Sequence, residues 1–411
     1  MASFDVSAAR ARFPAFRPDS PTSDWVDLDG PAGTQVPASV IEAMAAAHRD
    51  GLSNLGGGFP ASDRAEQIVT DARSAFGDLF AARPEEIVFG PNMTTLTFAV
   101  SRALSQRWGA GDEIVVTLLD HDANVTPWRM AAADRGVTVR TVPFDTATGM
   151  LAPEAVAAAV GPRTRLVAVT HASNALGTVP DVAAIVEVAH AAGALAYVDA
   201  VHFAPHGVVD VAAIDADFLV ASSYKFFGPH LGALYGKEGL LEATAAYKVV
   251  PAPDTGPGKW ETGTANFEAL AGATAAVEHL AEPGSGPGRR ERLIDAQRQV
   301  RSHEEALIDR FLAGAAEIPG LRVYGVTDPD LISHRVPTFA VGVAGMPVGE
   351  LEASMRARRL AVRAGHYYAV GVMEHLGVLD DGGLLRIGFV QYTTADEVDR
   401  TLEGLAAAAA G

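Results

Sequence analysis

Between residues 85 and 236 short apolar runs alternate with segments whose apolar side chains recur at helical spacing. The runs predict strands at about Glu86–Phe89, Glu113–Leu119, Thr138–Val142, Leu166–Thr170, Ala194–Val198 and Phe218–Ala221, with another around Ala233 to Tyr235. The segments between them predict helices at about Thr94–Trp108, Pro127–Arg135, Pro153–Val160 and Val182–Ala192. Strands without polar alternation, each followed by a helix, indicate a mainly parallel sheet covered on both faces. Upstream, the pattern predicts a short helix Val6–Phe13, a strand Trp25–Leu28, a turn at Asp29-Gly30-Pro31 and a helix from Pro37 to His48. A Gly-rich loop, Leu52–Pro60, then leads to a helix Ser62–Ala81 with Ser62 as its expected N-cap.

Downstream of a helix at Glu268–Leu280, the stretch EPGSGPG (282–288) breaks the pattern. A long amphipathic helix, Arg290–Ala315, carries Leu293, Val300, Leu307 and Phe311 on one face. Strands at Arg322–Tyr324, Thr338–Val343 and Leu385–Phe389 mix with helices at Val348–Arg358 and Thr394–Ala410. The expectation is an α/β chain in three parts. These are an N-terminal segment (1–24) packing with the small domain, a large domain (25–283) and a small C-terminal α+β domain (284–411).

Composition narrows the class. With 411 residues, 48% hydrophobic and 20% charged, the chain reads as a globular enzyme, and its formal charge of −18 disfavours nucleic acid or an anionic membrane as partner. The N-terminal MASFDVSAARARFPAF lacks the apolar core of a signal peptide, and no run of about 18 apolar residues exists, so a cytoplasmic location is expected. The chain contains no cysteine. Disulfides, thiolate nucleophiles and cysteine metal sites are therefore excluded.

In an open parallel sheet, ligands bind beyond the carboxyl ends of the strands. Those ends deliver Asp120 and His121; His171, Ser173 and Asn174; Asp199 and then His202; and Ser222, Tyr224 and Lys225. Asn92, Thr94 and Thr95 open the helix after the first strand. A lysine among apolar and aromatic neighbours loses part of its affinity for a proton, as a lysine that bonds an aldehyde requires. Each residue has a task if the ligand is pyridoxal phosphate. The start of the Thr94 helix offers N–H groups, and Thr94 and Thr95 offer hydroxyls, to the phosphate. Asp199 would keep the ring nitrogen protonated. His121 could stack on the ring, and His202 and Asn174 could hydrogen-bond its hydroxyl. Lys225 would bond the aldehyde and then serve as the base at the substrate Cα.

The motifs LLDHDANVTPW, THASNALGTV, AYVDAVHFAPHG, SSYKFFGPHLGALYG and WETGTANFEALAG resemble those of the class V aminotransferase and cysteine desulfurase family. The resemblance extends from LDGPAG near residue 30 to RIGFVQYTTADEVDR near residue 386. It implies a fold type I pyridoxal-phosphate homodimer with a shared active site, in which Ser222, Tyr224 and His202 contact the cofactor. It also implies that Thr264 reaches the cofactor phosphate of the other subunit. Arg386 matches the arginine that binds the substrate carboxylate, and Arg363 matches a second active-site arginine.

One departure bears directly on activity. In the desulfurases, the loop after the second arginine carries the nucleophilic cysteine, whereas here it reads VRAGHYYAVGV, with Tyr368 at that place. A phenol of ordinary acidity, near pKa 10, cannot carry a persulfide, so persulfide-forming desulfuration by this chain alone is excluded. The remaining expectations are a C–S lyase working by β-elimination, then an aminotransferase, then an amino-acid epimerase using His366 or Tyr368. A cofactor-binding scaffold is the non-enzyme alternative. No metal site is expected, because Pro205 breaks the helical spacing that His202 and His206 would need to act as a ligand pair.

Overall fold

The computed structural model describes residues 4–411, so the first three residues of the expected N-terminal segment lie outside it. Its strands, in chain order, are β1 (Val26–Asp27), β2 (Ile87–Gly90), β3 (Glu113–Thr117), β4 (Thr138–Val142), β5 (Thr164–Thr170), β6 (Leu195–Asp199) and β7 (Phe218–Ser222). They continue as β8 (Gly232–Gly236), β9 (Leu321–Tyr324), β10 (Thr338–Val343), β11 (Leu360–Ala361), β12 (Arg363–Gly365) and β13 (Leu384–Gly388).

Seven of these form one sheet in the order β2-β8-β7-β6-β5-β3-β4. The pairs from β4 through β3, β5 and β6 to β7 are parallel, and β8 runs antiparallel between β7 and β2. Alternate residues of these strands feed separate cores, as the two-residue period of a strand requires. Ile114, Val116, Leu166, Tyr197, Phe218 and Val220 face one layer, with Trp128. Val115, Val167, Val198, Leu219 and Ala221 face the other, with Phe76 and Phe80. Burial on both faces explains why the sequence shows continuous apolar runs here rather than alternation.

Four strands make the C-terminal sheet, β12-β13-β10-β9, with all pairs antiparallel. Its core joins Phe339, Val341, Leu385 and Ile387 to Leu307, Ile308 and Phe311 of the helix Arg289–Ala316. β1 adds parallel to β11, so the N-terminal stretch reaches the C-terminal part of the chain. The short helix Val6–Arg10 is fixed there as well, by Arg10 on the carboxylate of Glu397 and the carbonyl of Tyr392. β1 falls within the strand expected at Trp25–Leu28, whereas β11 and β12 were not expected from the pattern, because runs of two or three residues carry no periodicity. The helix after the Gly-rich loop begins at Pro60, with Phe59 at the cap position. Ser62 is inside that helix and its Oγ accepts from Gly57 N–H at 2.8 Å, which corrects its expected capping role. Among the described residues, no helix is long and apolar enough to cross a membrane.

The two sheets meet at a polar junction. Arg335 is fully buried and donates to the carbonyls of Val326, Leu176 (3.4 Å) and Thr338 (2.7 Å), while its guanidinium lies 4.3 Å from the Phe339 ring centre. Gly177 has φ +75°, and a Cβ there would lie 2.4 Å from the Thr338 carbonyl oxygen, so only glycine lets this loop seat against β10. An R335A variant leaves three buried acceptors short of a donor, at about 1–3 kcal/mol each. The expected result is a loss of about 3 kcal/mol or more in a urea melt of the holoenzyme. An unchanged midpoint would show that the junction does not hold the sheets together.

Candidate functional site

A cavity of about 720 Å³ opens at the carboxyl ends of the parallel strands, with a smaller enclosed recess of about 50 Å³ adjoining it. Lys225 sits on the short turn Ser223–Lys225 that follows β7 and faces both spaces. Its amine donates to the carbonyls of Pro31 and Ala32, the latter at 3.1 Å. Burial, with Arg386 nearby, depresses its pKa to about 7. Half of such amines are unprotonated at neutral pH, against about one in a thousand for an exposed lysine.

Asp199 ends β6 in the enclosed recess and accepts from the Val201 N–H at 2.9 Å. Burial raises its pKa to about 6, and the Lys225 charge pulls it back down. Asp120, two strands away, is buried and raised further, to about 8, above all by burial. Its oxygens are taken by the Thr117 hydroxyl and by Asn124 Nδ2, the latter at 2.7 Å. Asp120 is therefore the more readily protonated of the two, and Asp199 is the one that carries negative charge into the recess.

His121 follows at the mouth. Its Nδ1 accepts from Ala123 N–H at 3.0 Å, which fixes the ring edge, and burial lowers its pKa to about 4, so the imidazole is neutral. The Tyr368 ring lies over it, with centres 5.6 Å apart and an 18° tilt. Asn174 uses Nδ2 to donate to the Tyr367 carbonyl at 2.9 Å, and its buried Oδ1 has no partner. His202 meets the Thr338 hydroxyl at 2.9 Å, and burial depresses its pKa.

The helix Met93–Ser105 points its first turn at the same recess. Asn92 caps it by accepting from Thr95 N–H at 2.9 Å, and Ser222 Oγ accepts from Met93 N–H at 3.0 Å. Thr94 lines the cavity, and Tyr224 does so while stacking on His230 at 4.6 Å. Two expected residues lie elsewhere in this chain. Thr95 turns its hydroxyl to Asn92, and with Thr264 it lines a separate recess of about 500 Å³.

On the C-terminal side, β13 carries Arg386, which is nine-tenths buried and lies 4.6 Å from the Tyr367 ring centre. Nη1 donates to the Asn174 carbonyl at 3.2 Å and Nη2 to Asp29 Oδ1 at 3.4 Å, while Nε is buried without a partner. Arg363 on β12 donates to the same Asp29 through Nε at 3.1 Å and through Nη2. His366 and Tyr368 line the cavity from the following loop, where Tyr367 and Tyr368 hold φ of +50° and +59°. Asp29, Pro31, Ala32 and Thr338 were missed as site residues. Only Asp29, an acid in a Gly-Pro turn, carried any signal, and its arginine partners lie more than 300 residues away.

These residues fit pyridoxal phosphate on their own chemistry. An amine depressed toward neutrality, a buried carboxylate, a neutral flat imidazole and a helix start share one space. Among the residues lining it and the larger cavity, Asn174 Oδ1 and Arg386 Nε are buried without partners and call for a polar ligand.

Comparison with known proteins agrees with that chemistry. A family profile for aminotransferase class-V matches residues 26–401. The chain is 32% identical over 418 residues to a cysteine desulfurase of Yersinia pestis (strain Pestoides F), a match covering 98% of each protein. It is 31% identical over 421 residues to a probable cysteine desulfurase 1 of Mycobacterium leprae (strain TN). That match covers 96% of this chain and 64% of the relative, so the chain spans less than two thirds of that protein's length. The apo structure of a cysteine desulfurase from Thermococcus onnurineus NA1 superposes over 100% of both chains with a TM-score of 0.89 at 26% identity.

Proposed function

The chain belongs to the aminotransferase class-V family, has the fold type I architecture and uses pyridoxal phosphate, and we propose that it is a C–S lyase acting on cysteine-like amino acids without forming a persulfide. The observation that carries this reading is the absence of any cysteine from a chain whose relatives bear the name cysteine desulfurase. Elimination from Cβ needs a base at Cα and a leaving group, but no nucleophile from the enzyme.

In this reading Ser222, Thr94 and the first turn of the Met93–Ser105 helix hold the cofactor phosphate, and Asp199 holds a proton on the ring nitrogen. Bound there, the cofactor supplies an electron-accepting ring that acidifies the substrate Cα–H. Arg386 binds the substrate α-carboxylate, a two-point task suited to its planar fork. Lys225, whose unprotonated form makes up about half the population at neutral pH, takes the proton from Cα. The leaving sulfur departs from Cβ with the electron pair of the C–S bond, and water later releases an α-keto acid and ammonia. His121, Tyr368 and His366 wall the cavity against bulk water. Thr264, which does not line the cavity of its own chain, serves the cofactor phosphate of the other subunit in a cytoplasmic homodimer.

The test is the stoichiometric release of thiol and keto acid. Holoenzyme should release pyruvate and ammonia in equal amounts, matched by sulfide from L-cysteine, thiol from S-alkyl-L-cysteines and thiocysteine from L-cystine. No keto acid from any of them removes the lyase. Transfer of the amino group to an added keto acid would replace it with an aminotransferase.

A further inference from the structure

Two arginines and one internal carboxylate meet at the substrate end of the cavity. Asp29 receives Arg363 at 3.1 Å and Arg386 at 3.4 Å, and its side chain is about four-fifths buried. It is held there by the backbone, because Asp29 bridges to Gly388 on β13, next to the strand residues flanking Arg386. Asp29 lies behind the two arginines, and the acid that lines the cavity itself, Asp122, accepts from the Thr126 hydroxyl at 2.8 Å. His121 is neutral, and Lys225 is committed to cofactor and proton transfer. Within the cluster, two guanidinium charges less the Asp29 carboxylate leave a single positive charge.

We propose that Asp29 is a specificity-determining residue that limits this site to amino acids with one carboxylate and an uncharged side chain. The inference rests on the reading of the cavity as an amino-acid site, not on which bond breaks. The α-carboxylate meets Arg386 and uses up the unmatched charge. Arg363 borders the cavity where a side-chain carboxylate could reach it, but Asp29 already neutralises it. A dicarboxylic substrate would bring its second carboxylate toward Asp122 and toward an Arg363 already matched by the Asp29 behind it, with no free cation to receive it. Phe98, Pro127 and Tyr368 complete that wall and suit an apolar substituent.

The experiment measures binding without turnover. α-Methyl-L-serine and α-methyl-L-aspartate have no Cα–H to lose, and their Kd values for the holoenzyme can be read by calorimetry. The native protein should bind α-methylserine roughly 30-fold or more tighter than α-methylaspartate, since an unmatched like charge costs several kcal/mol. D29N should cut that ratio to about threefold or less by tightening α-methylaspartate, because it leaves Arg363 unmatched. R363M should weaken α-methylserine about tenfold or more, because Asp29 then cancels Arg386. The double variant D29N/R363M restores the single charge and should return α-methylserine to within about threefold of native. Equal native binding of the two ligands, no binding of either, or R363M without effect would each overturn the proposal. If D29N fails to fold, R363M and the double variant still decide. A failed keto-acid assay with these binding ratios intact sinks the lyase and leaves Asp29 in its role.

Discussion

K225A should purify without the yellow colour of the native protein and should turn over its substrate at least about 10³-fold more slowly, since the same amine both bonds the cofactor and moves the Cα proton. The structure makes this loss larger than that of a lone general base. Lys225 is the amine at the junction of the two cavity spaces, and the carbonyls of Pro31 and Ala32 hold it there. Its pKa of about 7 adds a pH signature. The charged form, dominant below that value, cannot attack an aldehyde, so the rate of colour recovery when cofactor is added to apoprotein should rise as pH climbs through about 7 and then level off. For an exposed lysine the rise would extend beyond pH 9. Visible absorbance in stopped flow reads both effects. Retained colour in K225A at the native wavelength would mean that another group bonds the cofactor.

D199N should keep the fold and bind cofactor, yet lower turnover by about 10²–10³-fold, the usual cost of removing a preorganised charge at the point where charge develops. Asparagine fills the same space and can still accept from Val201 N–H, but it has no negative charge to hold a proton on a ring nitrogen. Asp120 cannot stand in for it, because the Thr117 hydroxyl and Asn124 already occupy its oxygens. A D199N enzyme with native kcat would show that the ring nitrogen does not need its proton for this chemistry.

How much of this could be read in advance follows from the kind of contact involved. Lys225, Asp199, His121 and Asn174 follow the ends of buried strands, and strand ends are visible in an apolar run that stops at a polar residue. Both cores were equally visible, because continuous burial leaves continuous apolar runs. Asp29 was read only as part of a turn. Its partners Arg363 and Arg386 come from strands more than 300 residues downstream, and no local pattern encodes a pairing of that reach. The Lys225 contacts with Pro31 and Ala32 are backbone carbonyl contacts, and carbonyls carry no residue identity. Ser62 misled because a serine before a helical run is ordinarily a cap, and here Pro60 starts the helix one half-turn earlier.

The junction at Arg335 has a consequence for how the site admits its ligand. Leu176 and Gly177, which this arginine and β10 grip, lie two and three residues beyond Asn174 on the same loop. A swing of the C-terminal sheet as one piece would tear the loop that presents Asn174 from its seat and carry away the strand that presents Arg386. The molecule is therefore built like a room with fixed walls and a curtained doorway, not like a jaw. The curtain is the Tyr368 side chain at the rim, 68% exposed, while Asn174 and the Asp122 N–H hold the backbone carbonyls of Tyr367 and Tyr368 in place.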